Sequence, residues 1–586
     1  MNKRSRHSKD IRKRRLLISQ KAAARTLNGN GSSPDLPPLP IDDDEGSLGT
    51  LFSHKYGALP FGNIYMAESS ANQDQVRKNA LGCHLATLND EQIISLLQYL
   101  DGESLSKVVQ CSRYLYVAGH HDDLWRDITL RKYGSKGFDF VKSWKDTFIS
   151  SELKSNNNMN QEYEFKPHHP IKMKNIYSDI FFRSWLCGSF TIHKSWISTN
   201  NICTEDSKTL TIDKFLEYEE RNIPLLIKGA TLEWPAIKKW NRDYLQNETK
   251  GFDFRATSGA APLPAKFSIS QYLRYCDDVC EEAPLYLFDR TFAEKVPTLL
   301  NDYLYALKDT CPFFDDKAEH GHDLFSILGK DRRPDHRWII IGPKRSFSNF
   351  HIDPNATHAW NAPIIGRKRW IFYPPGVPPP GVYPSPNGDD VVMPISLGEW
   401  FLTHFNDHLK QRRNEDKSKR PIECTVEPGD ILFVPHGWWH SVLNLDDGMS
   451  VAITQNYVSK SNLPDVLRFL ETRQQQISGC RDRPEAVKPE DLLHQFRSCL
   501  RESRPILLDQ AQSLANDGWH CAAWDDDAEY TMKRKAESHG HKKKKTKTGV
   551  NRSIVEQART PTFLDGIHKP CHSGALENTG FTFSFL

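Results

Sequence analysis

The stretch FHIDPNATHAWNAPIIGRKRW, Phe350 to Trp370, sets two histidines, an aspartate and a lysine in a run that is otherwise largely apolar. If NFHID is a strand, residues two apart point to one side, so His351 and Asp353 offer an imidazole and a carboxylate to the same space. Taken alone, an H-x-D pair is a weak signal, more readily read as two polar residues on a half-exposed strand.

A partner for the pair has to come from elsewhere in the chain. EPGDILFVPHGWWHSVLNL, residues 427–445, offers two histidines. Pro428-Gly429 marks a turn, Ile431 to Val434 a strand, and Pro435-His436-Gly437 a second turn. His440 then opens the next strand. Two histidines four apart share a face only on a helix, which Pro435 and Gly437 oppose. His440 is therefore the expected third ligand, with His436 on the rim. Two histidines and one carboxylate are the donor set of non-haem Fe(II) oxygenases, which leave coordination positions open for a cosubstrate and oxygen. Two decoys are set aside. His358 reads as loop or packing. His404 and His408 sit one turn apart on a helix expected to begin at Ser396. They lack the glutamate that zinc metalloproteases carry after the first histidine, and a surface-to-core boundary face accounts for them.

Lys368 is the odd residue. On the strand KRWIF it shares a face with Trp370 and Phe372, and a buried ammonium needs an anionic partner. In the reverse register Arg367 and Arg369 would be buried and the lysine solvated. One buried lysine costs less than two buried arginines, so the lysine is expected inward, where a dicarboxylate could meet it.

Outward from this stretch, PLLIKGA, PLYLFD, RWIIIGP, DILFVP, SVLNL and MSVAITQNYV read as short strands bounded by turn residues. Their close succession late in the chain predicts an antiparallel barrel or sandwich within an α+β domain over 180–480, its core at about 305–474. Residues 80–134 read as a small helical unit, Asn89 and Gln92 forming a capping box before Ile93, Leu96, Leu97 and Leu100. Residues 135–179 read as a linker, 481–524 as a helical extension, and 1–79 and 525–586 as disordered basic regions. The chain carries a net charge of only +3, yet basic clusters stand at Lys3–Arg15 and Lys533–Lys545. They suggest nuclear import, with weak nucleic-acid contact as a further expectation. Twelve cysteines without a C-x-x-C pair oppose a zinc finger and a secreted disulfide framework. No apolar run reaches the ~20 residues a bilayer requires, and no apolar segment follows the basic N-terminus, so neither a membrane span nor a signal peptide is expected.

HIDPNATHAWNAPIIGRKRW and PHGWWHSVLNLDDGMSVAITQN together resemble the Jumonji-C (JmjC) Fe(II)- and 2-oxoglutarate-dependent oxygenases. Within them, they resemble the branch once called the phosphatidylserine receptor, viewed as arginine demethylase and lysyl hydroxylase. The resemblance runs from about 180 to 475 and implies a double-stranded β-helix, or cupin barrel, flanked by helices. It implies that His351, Asp353 and His440 hold Fe(II), and that Lys368 binds the distal carboxylate of 2-oxoglutarate. Asn361, Thr454, Tyr286 and Ser348 fall at further cosubstrate-pocket positions, Ser348 standing where the branch tends to carry threonine. The implied activity is hydroxylation or N-demethylation of lysine or methylated side chains on a protein substrate, histones among the options. The helical unit resembles an F-box, with LATLND in place of the usual Leu-Pro start. That implies a Skp1-type adaptor as partner, and a competing reading in which the barrel only recognises ligase substrates.

Overall fold

The computed structural model describes residues 54–66, 73–134, 138–156, 169–258, 264–314 and 323–516, apart from 386, 387, 389 and 482. The basic clusters at 3–15 and 533–545 lie outside them. Two short strands, β1 (Ala58–Leu59) and β2 (Ile176–Tyr177), pair in parallel, so part of the segment expected to be disordered is built into the fold. The strands that follow are β3 (Cys203–Asp206), β4 (Leu225–Lys228), β5 (Asp253–Thr257), β6 (Ala265–Ser268), β7 (Tyr286–Asp289), β8 (Arg337–Pro343), β9 (Phe347–His351), β10 (His358–Ile365) and β11 (Lys368–Tyr373). A small hairpin, β12 (Tyr383–Pro384) and β13 (Val391–Val392), precedes β14 (Ile422–Val426), β15 (Ile431–Val434), β16 (Trp439–Asn444) and β17 (Met449–Tyr457).

Nine strands form one sheet in the order β3-β4-β15-β10-β17-β8-β7-β5-β6, antiparallel except for β3 and β4. Four form the other, β14-β11-β16-β9, all antiparallel. Both faces of the larger sheet are apolar, which explains near-continuous runs such as RWIIIGP. Its inner face, with Leu226, Ala359, Leu432 and Val434, meets Trp370, Phe372 and Val442 of the smaller sheet. Its outer face, with Ile339, Ile341, Trp360, Ile431 and Ile453, lies under the helices. Two facing sheets with this connectivity are consistent with a double-stranded β-helix.

The helical unit comprises Asp90–Leu97, Gly102–Val108, Arg113–Ala118 and Asp122–Tyr133, the first with its Asn89–Gln92 capping box formed. The stretch expected to be a linker is structured over much of its length. It contains the helix Trp144–Asn156, and Phe138 and Phe140 stack edge-on against Phe267 and Tyr275. One apolar cluster runs from Leu105 and Trp125 of the unit to Ile341 and Ile453 of the larger sheet. The helices Pro489–Ser503 and Pro505–Asn516 pack with Leu463–Thr472 into a second cluster. Among the described residues, no helix is long and apolar enough to cross a membrane.

Candidate metal centre and its anion pocket

His351 closes β9 and His440 lies in β16, where the two pair directly across the sheet. Their rings stand 4.2 Å apart. Asp353 lies just beyond the strand rather than in it, where the chain turns sharply at Pro354–Ala356. Asn355 and Ala356 take left-handed φ values of 56° and 54°. Asn tolerates that conformation, and Ala pays for it with about 1–2 kcal/mol. Two hydrogen bonds of 3.0 Å between the Asn355 amide and the Ser478 backbone hold the turn, as does Asn462 donating to the Ala356 carbonyl. The turn carries the Asp353 carboxylate back to 4.0 Å from His351 Nε2 and 3.9 Å from His440 Nε2.

Each imidazole has its tautomer fixed. His351 Nδ1 donates to the Asn349 carbonyl at 2.7 Å, and His440 Nδ1 to the Trp438 carbonyl at 3.1 Å, because a carbonyl can only accept. Nε2 is then the nitrogen of each ring that faces Asp353 and can bind a metal. Burial first, and His440 as neighbour second, lower the His351 pKa to about 4. Burial lowers that of His440 to about 4 and raises that of Asp353 to about 6. Asp353 Oδ2 is buried without a hydrogen-bond partner. Two neutral imidazoles and a carboxylate with an orphaned oxygen, converging where desolvation disfavours charge, fit a divalent cation that would supply the missing partner. Among the described residues this is the group of histidine, cysteine and acidic side chains whose donor atoms converge, all within 4.8 Å of one another.

The registers decide what else faces this space. His440, Val442 and Asn444 share one face of β16 and pair with Phe372, Trp370 and Lys368 of β11. Trp370 stacks on the His440 ring at 5.8 Å. Ser348, three residues before His351, would point away in a regular strand. A bulge between them lets Ser348 pair with Val442 and so returns it to the site face. Asn361 pairs with Thr454, and both face inward with Tyr286, Trp338 and Ile340. The Asn361 side-chain oxygen Oδ1 is buried without a hydrogen-bond partner, while the Thr454 hydroxyl donates to the Trp360 backbone carbonyl at 2.8 Å.

Lys368 is 1% exposed. Its ammonium donates to the Tyr286 hydroxyl at 2.9 Å and to Asn444 Oδ1 at 2.8 Å. The Tyr286 oxygen also accepts from Asn444 Nδ2 at 3.1 Å, and that nitrogen donates to Ser346 Oγ at 2.7 Å. Both groups that meet the ammonium are neutral, and no carboxylate among the described residues pairs with it. One ammonium hydrogen and the Tyr286 hydroxyl hydrogen thus remain for an anion. Asn444, Ser346 and Gly342 were not singled out from sequence. A Cβ on Gly342 would lie 2.5 Å from the Tyr286 ring and 2.3 Å from Ser346 Oγ, so glycine there makes room for the pocket.

Several sequence expectations need correction. Arg369 is buried as well as Lys368, on the opposite face of β11. There its guanidinium meets Glu423, which Arg412 and His408 also contact. His408 is therefore a core residue, and the helix breaks at His404 instead of carrying both histidines. His436 is not on the rim. It is buried, with Nε2 2.9 Å from Asp465 Oδ2 and its backbone N–H donating to His358 Nδ1 at 3.0 Å. His358 opens β10 and packs there.

The family model described as a cupin-like domain matches residues 213–462. The chain belongs to the cupin-like JmjC family. It is 38% identical over 471 residues to the arginine-specific demethylase JMJ22 of Arabidopsis thaliana, covering 79% of this chain and 84% of that one. Over 263 residues it is 35% identical to the bifunctional arginine demethylase and lysyl-hydroxylase psr-1 of Caenorhabditis elegans, covering 44% of this chain and 61% of that one. Over 314 residues it is 33% identical to the 2-oxoglutarate and iron-dependent oxygenase JMJD4 of Danio rerio, covering 46% of this chain and 67% of that one.

Proposed function

We propose that the chain is an Fe(II)- and 2-oxoglutarate-dependent oxygenase that hydroxylates or N-demethylates protein side chains. The observation that carries this is the buried Lys368 ammonium, with neutral partners only, on the same interior face as the His351–Asp353–His440 cluster. A site with a cation-binding cluster at one end and an uncompensated cation at the other suits a ligand anionic at both ends, and a 2-oxo dicarboxylate is one. The relatives named as oxygenase, demethylase and lysyl-hydroxylase support the same reading over a barrel that only binds.

His351, Asp353 and His440 would hold the iron. Lys368 and Tyr286 would bind the distal carboxylate, and Asn361, Thr454 and Ser348 would line the same pocket. Bound there, iron with 2-oxoglutarate and oxygen supplies oxidative decarboxylation to succinate coupled to hydroxylation of a substrate C–H bond, which on an N-methyl carbon ends in loss of formaldehyde. Trp370, Phe372 and Trp338 keep water from the interior and strengthen the lysine–carboxylate attraction by lowering the local dielectric. Mass spectrometry of methyl-arginine, methyl-lysine and lysine peptides incubated with the protein, Fe(II) and 2-oxoglutarate tests the reading. Gain of an oxygen means hydroxylation, loss of a methyl group means demethylation, and no succinate above background with any peptide contradicts it.

A second reading concerns the helical unit. Leu96 and Tyr99 are 52% and 87% exposed beside the buried Leu97, an apolar surface that a Skp1-type adaptor could cover. Co-purification with such an adaptor, lost in Tyr99→Glu, supports this F-box role; no capture by the wild-type chain opposes it.

A further inference from the structure

Glu281 lies outside every motif read from the sequence, yet it is buried where three parts of the molecule meet. Its carboxylate accepts from Arg126 Nη1 at 3.1 Å and from Trp144 Nε1 at 2.6 Å, both belonging to the N-terminal helices. It also accepts from the Tyr275 hydroxyl at 3.1 Å. That hydroxyl in turn accepts from the backbone N–H of Leu285 at 2.7 Å, the residue before Tyr286. A parallel strut stands one turn earlier on the same helix. The Tyr272 hydroxyl accepts from Leu287 N at 3.0 Å and lies 2.8 Å from the carbonyl oxygens of Leu285 and Ile341. The two tyrosines thus hold the backbone on both sides of Tyr286, and Tyr286 holds Lys368 and Asn444.

We propose that Glu281 is a positioning residue for the 2-oxoglutarate pocket, tying the N-terminal helices through Tyr275 and β7 to Tyr286. The inference rests on the oxygenase reading above and extends it. The helical unit is a support for the cosubstrate pocket as well as a neighbour of the barrel. The physical reason is geometric. Tyr286 meets the lysine with its hydroxyl and, at 5.6 Å, with its ring face, and a strand end shifted by a few tenths of an ångström misaligns a hydrogen bond that has to be made in an apolar interior. By linkage, cosubstrate binding must tighten the seating of the helical unit to the same degree.

The test compares Glu281→Gln, Trp144→Phe and Tyr286→Phe in the full chain. Affinity is read by calorimetric titration of 2-oxoglutarate into the Mn(II)-loaded protein, and hydrogen exchange is read at the Leu285 amide without metal. Glu281→Gln is expected to weaken 2-oxoglutarate about fivefold, to raise its KM in proportion with kcat at saturation retained, and to speed Leu285 exchange. Trp144→Phe, which removes only one donor to the carboxylate, should move all three readouts in the same direction. The Glu281→Gln/Tyr286→Phe double variant should bind no more weakly than Tyr286→Phe alone, since the first change acts through the second. Wild-type affinity and Leu285 protection in both Glu281→Gln and Trp144→Phe would overturn the proposal, as would multiplying effects in the double variant. Should Glu281→Gln fail to fold, Trp144→Phe decides. A wild-type protein that binds no 2-oxoglutarate defeats the oxygenase reading instead, and Leu285 exchange alone then judges the relay.

Discussion

Lys368 and Arg369 are neighbours on β11, both about 1% exposed, and they serve opposite faces of one sheet. The lysine faces the barrel interior with neutral partners. The arginine faces outward into a carboxylate, Glu423, that three basic side chains surround. One cation meets neutral groups and the other a carboxylate, so their loss should have different signatures.

Lys368→Met should fold and lose its cosubstrate. Removing the charged member of a buried pair costs about 2–5 kcal/mol of binding, a weakening of at least roughly 30-fold for 2-oxoglutarate. Unfolding stability without ligand should stay within about 1 kcal/mol of wild type, because the buried ammonium is itself costly. Calorimetric titration and urea unfolding on the same preparations check both halves.

Glu423→Gln should do the reverse. Breaking a buried ion cluster costs about 3–5 kcal/mol of stability. Burial pushes the Glu423 pKa up, but His408, Arg412 and Arg369 outweigh burial and hold it at about 2, against an ordinary 4.5. A depressed carboxylate pKa stabilises the fold fully above the unfolded value. That contribution is lost as pH falls from 4.5 towards about 2, because the unfolded chain takes up the proton first. Denaturant unfolding of the two proteins should therefore differ by a constant amount above pH 5 and converge below pH ~4.

Gly342→Ala should act on the pocket from behind. The new methyl group cannot coexist with the Tyr286 ring at 2.5 Å, so the ring or the strand moves. Overpacking of this kind costs about 1–3 kcal/mol. The affinity for 2-oxoglutarate should fall about tenfold, with the metal site intact by metal titration.

The helical unit and the barrel should unfold together. Trp144 is 1% exposed and packs against Tyr275 of the oxygenase domain. Trp144→Ala should lower global stability by about 3–5 kcal/mol, and calorimetry should show one transition, not an early loss of the helices alone.

How much of this was legible in the sequence depended on whether the information was local. His351 and Lys368 stand out as candidates because strand alternation is a period-two signal within a few residues, whereas Asp353 reaches the same space through the turn at Pro354–Ala356. His440 could be separated from His436 because Pro435 and Gly437 exclude a helix. The burial of His436 could not be read, since it depends on Asp465, a residue distant in sequence, and on the His358 ring. The burial of Arg369 cannot be read from alternation, which leaves one face of β11 wet. Glu423 on the neighbouring strand β14, with His408 and Arg412 from the helix Phe405–Gln411 and its C-terminal end packed outside the sheet, makes both faces interior. Ser348 reaches the site through a bulge that no alternation rule contains. The segment 135–179 is poor in periodicity, yet Phe138, Phe140 and Trp144 are anchored by aromatic rings more than a hundred residues away.

We expect His351, Asp353 and His440 to bind one iron that drives 2-oxoglutarate turnover. Metal content and succinate formation measured on wild type and Asp353→Ala, reconstituted side by side with Fe(II), test it most directly. The structure leads us to expect one iron per chain and succinate from the wild type, with both lost in Asp353→Ala while the variant stays folded. An Asp353→Ala protein that keeps its iron and its succinate would contradict the account.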